Sequence, residues 1–166
     1  MFHTQQYKVK RFVFLDFDGV VCTQRHRLEM VGMGQPWKDE FGPFFDPIAV
    51  ENLKDIVDST GANIIVTSTW KYKGLAAMQT LWNIRRMPGV LLDITPTLPA
   101  AFMFTRGMEI NKWLYSNTPD NPEEFRYIII DDGIDFLPEQ SPYLVKIDPS
   151  VGLTVTDAEK AKALLL

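Results

Sequence analysis

Cysteine is nearly absent from this 166-residue chain: Cys22 stands alone, so an internal disulfide is excluded. Together with only two histidines it offers no cluster with the ligand spacing of a zinc site. Such thiol usage suits a reducing compartment. Long apolar runs are missing as well. None approaches the roughly 18 residues that a membrane helix requires, and the opening Met-Phe-His-Thr-Gln-Gln-Tyr lacks the charged-then-apolar order of a signal peptide. A cytoplasmic location without membrane or disulfide partners is the default expectation. Nor is there a strong charge of either sign. A formal net charge of −4 argues against broad electrostatic binding of nucleic acid. It leaves room for a local basic groove drawn from Arg25, His26, Arg27, Lys71, Lys73, Arg85, Arg86 and Arg106. Repeats, low-complexity tracts and linker-like stretches are also lacking.

What remains, 46% apolar and 23% charged, is the composition of an ordinary globular protein. Its length suits one domain spanning residues 1–166 with a sizeable core. Buried parallel strands are expected at 11–16, 62–67, 127–131 and 143–147, with a possible edge strand near 89–93. Helical spacing lies between them. Residues 47–58 place Ile48, Val50, Leu53, Ile56 and Val57 on one stripe, with Pro47 in the first turn and Gly61 past the end. Residues 73–84 and 106–116 give two further helices. The last is expected to open at Thr156, where Thr-x-x-Glu reads as a capping box. Strands alternating with helices imply an α/β fold with a parallel sheet between two helical layers.

The least regular region is 22–46, with several glycines and prolines and an aromatic group of Trp37, Phe41, Phe44 and Phe45. A loop of this length inside a compact domain is often functional. It is read equally as a lid over a site and as a surface loop packed on the core.

The strongest chemical signal is Phe12-Val-Phe-Leu-Asp-Phe-Asp-Gly-Val20, an apolar strand ending in two carboxylates. Side chains two apart in a strand share a face, so Asp16 and Asp18 stand together. A divalent cation such as Mg²⁺ is the usual reason for that arrangement, and Gly19 lets the chain turn away. A simple turn would need the same residues. The balance shifts because later strand ends repeat the pattern: Thr67-Ser68-Thr69 with Lys71 after one, Asp131-Asp132 with Asp135 after another. In open α/β sheets ligands bind at the carboxyl ends of the strands.

Phe-Leu-Asp-Phe-Asp-Gly-Val, then Ile-Ile-Val-Thr-Ser-Thr-Trp-Lys, a basic residue opening a helix, and Tyr-Ile-Ile-Ile-Asp-Asp resemble in order the four motifs of the haloacid dehalogenase (HAD) superfamily. Thr95-Pro96, the Arg106–Leu114 helix and Gly152-Leu153-Thr154 are similar to features of the small HAD domains attached to nucleic-acid repair enzymes. The resemblance implies a three-layer, Rossmann-like HAD fold with a central, mainly parallel sheet and a short lid in place of a full cap domain. It implies a Mg²⁺-dependent phosphatase in which Asp16 is the nucleophile, forming an aspartyl-phosphate, and Asp18 is the acid/base.

By the same resemblance, metal ligands are the Asp16 carboxylate, the Asp18 carbonyl and an acid of the fourth motif, Asp132 or Asp131, with Asp135 in support. Thr67 is the phosphate-binding hydroxyl, with Ser68, Gly19 and Lys71 as further phosphate contacts. Arg106 is the fixed cation beside the phosphate, preferred over Lys71 and over Lys112, which reads as a solvated helix residue. With room only for a short lid, the implied substrate supplies its own cover: a nucleotide, a nucleic-acid end or a protein. Phosphotransfer to another acceptor and a binding module without turnover are the competing readings. A phosphate-receiver domain is disfavoured because the central strand is expected to end in Thr-Ser-Thr.

Overall fold

A computed structural model describes residues 8–100, 103–118 and 120–166; the N-terminal residues 1–7, read above for a signal peptide, lie outside the described part. In chain order the elements are β1 (Lys10–Leu15), α1 (Gln24–Gly32), β2 (Lys38–Asp39), β3 (Gly42–Pro43), α2 (Pro47–Thr60), β4 (Asn63–Val66), α3 (Leu75–Ile84), β5 (Leu91–Ile94), α4 (Thr105–Asn117), β6 (Phe125–Asp131), β7 (Leu144–Lys146) and α5 (Val155–Leu165). Five strands form a parallel sheet in the order β5-β4-β1-β6-β7. No described helix is long and apolar enough to cross a membrane.

Alternation along β1, β4 and β6 sorts their side chains between two layers. Val13, Leu15, Ile64, Val66, Ile128 and Ile130 pack with residues of α2, α3 and α5. Phe12, Phe14, Ile65 and Ile129 face Ile110, Trp113 and Leu114 of α4. Both faces of the sheet are therefore buried, which is why its strands read as continuous apolar runs. Full burial of each such isoleucine or phenylalanine contributes about 1.5–3 kcal/mol.

The central strand is β1, not the one that ends in Thr-Ser-Thr as expected. After β5 the chain passes back to the other side of β1, so β4 is one place off centre. Connections from β1 and β6 leave in opposite directions, and the crevice between their carboxyl ends is where an open sheet binds ligands. Those ends carry Asp16 and Asp131.

Three local expectations are corrected. Residues 22–46 hold helix α1, capped by Thr23, and the short β2–β3 hairpin rather than an irregular loop. Helix α2 buries Ala49, Leu53, Ile56 and Val57 and leaves Ile48 exposed, so its apolar stripe is turned by one residue. Helix α5 opens with a capping box between Thr154 and Asp157, not at Thr156. Asp157 is the acid three residues after the cap, the spacing a capping box needs.

Candidate active site

Asp16 follows β1 directly and is buried, its own N–H bonding the Ile130 carbonyl at 3.1 Å. A tight turn comes next: the Phe17 carbonyl accepts from the N–H groups of Val20, Val21 and Cys22. Gly19 sits in that turn at φ +77°, where a Cβ would stand 2.3 Å from Asp132 Oδ2. Only glycine permits both that backbone conformation and the close approach of Asp132. Asp16, Asp131 and Asp132 each offer a carboxylate oxygen within 4.8 Å of the others.

Arg106, in the first turn of α4, lies 3.3 Å from Asp16 Oδ1 and donates to Asp131 Oδ2 at 2.6 Å. The second Asp131 oxygen accepts from the Gly133 N–H at 2.6 Å. Helix α4 is aimed by Phe104, whose left-handed backbone (φ +59°) turns the chain into the helix. Asp135 ties the helix start down, accepting from the Arg106 N–H through its side chain and from the Gly107 N–H through its carbonyl.

Burial, and next the negative charge of Asp131, push the Asp16 carboxyl up to about 7, with Arg106 working in the other direction. Asp131 is likewise raised, mainly by burial. Desolvation works against the charge on Arg106, but Asp131 and Asp16 outweigh it and hold the guanidinium firmly protonated.

Asp18 points differently from Asp16. Its Oδ2 accepts a hydrogen bond from Trp70 Nε1 at 3.1 Å. No local signal in the sequence marks that contact, because it depends on β4 lying beside β1. Thr67 is buried at the end of β4, and its hydroxyl has no hydrogen-bond partner among the described residues. It borders a hollow shared with Arg106, Thr69 and Asp135. Ser68 differs: its hydroxyl accepts from the Trp70 N–H and so caps the turn at 69–73 instead of facing that hollow.

Lys71, expected as a phosphate contact, is buried and ion-paired with Glu109 at 2.5 Å; it also donates to Thr95 Oγ1 and the Pro96 carbonyl. Lys112 is exposed on α4. Four of the eight basic residues that the sequence offers for a groove are neutralised within the chain: Arg25 pairs with Asp46, Lys71 with Glu109, Arg85 with Asp39 and Arg106 with Asp131. The local sequence could not show this, since the acids lie 21 to 46 residues away along the chain.

Beyond Asp18 a second hollow of about 380 Å³ lies between α1 and the β2–β3 hairpin. Cys22 borders it, with burial as the main cause that pushes its thiol far above the ordinary range and so favours the protonated form.

Against this geometry the comparison with known families is decisive. Residues 12–158, most of the chain, match the HAD domain found in Swiss Army Knife RNA repair proteins. The chain belongs to this HAD family. Membership carries the three-layer α/β fold and, in general terms, hydrolase chemistry of the phosphatase kind. The HAD domain's match spans β1 through the start of α5, so all the strand ends described above fall inside it. Comparison with curated proteins and with solved structures gives no significant match.

Proposed function

We propose that this HAD domain is a Mg²⁺-dependent phosphomonoesterase acting on a nucleotide or nucleic-acid end through an aspartyl-phosphate. The observation that carries the reading is the Arg106 guanidinium set between Asp16 and Asp131 with Asp132 alongside, at the crevice between β1 and β6. Phosphoryl transfer needs positioning and charge neutralisation above all. The association of the family with RNA repair supports a nucleic-acid substrate.

An all-oxygen site beside three clustered carboxylates fits a hard cation such as Mg²⁺. Asp16 and Asp132, with the main-chain carbonyl of Asp18, would hold it; both oxygens of Asp131 already serve Gly133 and Arg106. Bound there, Mg²⁺ would neutralise charge on the phosphoryl oxygens and favour the ionised form of Asp16. An Asp16 carboxylate oxygen attacks phosphorus, and the bond to the ester oxygen breaks. Asp18 gives its proton to that leaving oxygen. In the second half Asp18 takes a proton from water, whose oxygen attacks the phosphorus and releases Asp16 and inorganic phosphate. Arg106 holds a non-bridging oxygen, and the unpartnered Thr67 hydroxyl supplies a further donor. Residues 22–46 act as a short cover within a single domain.

Hydrolysis of p-nitrophenyl phosphate, with and without Mg²⁺, on wild type and Asp16→Asn tests this. Activity should require the metal, and Asp16→Asn should lower kcat by about a thousandfold or more. Full activity in that variant would remove Asp16 from the mechanism.

A further inference from the structure

We propose that the hollow between α1 and the β2–β3 hairpin receives the terminal nucleoside of a phosphorylated single strand, its base stacking on Trp37. This rests on the phosphatase reading above. Its size lies within the about 300–1,000 Å³ of ordinary small-ligand sites. Asp18 and Asp132 line this hollow and also the neighbouring one around Asp16, Arg106 and Asp131, so these two residues form a wall common to both. Asp18 must reach the leaving oxygen. The alcohol carried by that oxygen therefore falls at the mouth of the hollow, and the walls of the hollow are what it meets.

Those walls suit a nucleoside. On the hairpin side stand Trp37 and Phe44; on the helix side, Arg27 and His26. The Arg27 guanidinium lies over the Trp37 ring, 4.2 Å from its centre, and Lys38 Nζ lies over it at 4.9 Å, so a base stacks on Trp37 by displacing one of these cations. Neither cation is in an ion pair among the described residues, whereas Arg25, Lys71, Arg85 and Arg106 all are. Aromatic faces for bases with unpaired cations for backbone phosphates are the two parts of a single-strand site.

The stacking platform is held in place before any ligand arrives. Arg85 donates through two nitrogens to the Asp39 carboxylate, each at 2.7 Å, and to the Gly42 carbonyl at 3.1 Å. The Phe44 N–H bonds the Trp37 carbonyl at 2.9 Å. Preorganisation of this kind spares the ordering cost that a free loop would incur on binding.

The test compares trinucleotides carrying a 3′ or 5′ phosphate, with the phosphorylated residue either normal or abasic, on wild type, Trp37→Ala and Trp37→Phe. Wild type should prefer the normal over the abasic end by about tenfold to a hundredfold in kcat/KM, the range expected of one stacked base. Trp37→Ala should bring that ratio near one, and Trp37→Phe should restore most of it. Because the readout is a ratio, general damage to the enzyme does not imitate it. A wild-type ratio of one, a ratio that survives Trp37→Ala, or faster turnover of a phosphoserine peptide than of any trinucleotide overturns the inference. If nothing is hydrolysed, the phosphatase reading fails by itself. Fluorescence anisotropy of the labelled trinucleotides then decides: weaker binding of the abasic end, and of the normal end to Trp37→Ala, sustains the site, and equal binding overturns it.

Discussion

Trp70 touches two parts of the site at once. Its indole N–H holds Asp18, and its ring lies so close to Gly42 that a Cβ there would stand 3.0 Å from Trp70 Cη2. Phe17 and Phe45 pack against the same ring at 5.5 and 6.0 Å between centres. Trp70→Phe keeps an aromatic ring against Phe17 and Phe45 but removes the hydrogen bond and part of the indole volume beside Gly42, so kcat on p-nitrophenyl phosphate is expected to fall about tenfold with a modest loss of thermal stability; an unchanged kcat would show that Asp18 needs no such hold. Gly19→Ala should do more harm. Its left-handed backbone and the contact with Asp132 both resist a Cβ, so activity should drop by at least about a hundredfold with a stability loss of about 1 kcal/mol or more, read by kinetics and by denaturant unfolding. Asp16, Asp18, Asp131, Asp132 and Arg106 were legible in the sequence because each belongs to a strand end or helix start with its own local signature. Trp70 was not, nor was the capture of Lys71 by Glu109, because those contacts arise only when separate strand ends are brought side by side.

At the scale of elements, the four buried strands and the helices at 47–60, 75–84 and 105–117 follow apolar patterns long enough to read. The short hairpin was not readable, since two-residue strands carry no period and this one is fixed from outside by Arg85. Helix α1 was hidden for another reason: it buries none of its residues and so shows no apolar stripe. The start of α5 offers a sharp test of what sets a helix end. Thr154→Ala should cost about 1 kcal/mol, lowering Tm by about 2–4 °C for a chain of this size, while Thr156→Ala, exposed in the first turn, should be close to neutral. Equal effects in differential scanning calorimetry would contradict the Thr154–Asp157 box.

For the molecule as a whole, the buried acids set a pH dependence. With Asp16 pushed up to about 7 in the folded state against an ordinary value near 3.8, the folded chain holds more protons than the unfolded chain between those limits. Stability should therefore fall as pH rises through that window and be lowest above it. Asp46, where burial is outweighed by bonds from Thr23 and Arg25, is shifted the other way and loses its contribution only in acid, outside the range tested. The expected result is a metal-free Tm that declines from pH 5 to pH 8, and a rise on adding Mg²⁺ that is larger at pH 8; a flat profile with no metal effect would count against a cation at these carboxylates. One further consequence comes from the Lys71–Glu109 pair. Glu109 and Arg106 lie three residues apart on α4, and Lys71 lies four past Thr67, so the pair joins the two arms that flank the crevice. Opening it would strand a buried charge, at a cost of about 3–5 kcal/mol. Heat should consequently find no weak seam at the active site: loss of turnover and loss of tertiary structure should follow a single curve, with inactivation never running ahead of melting.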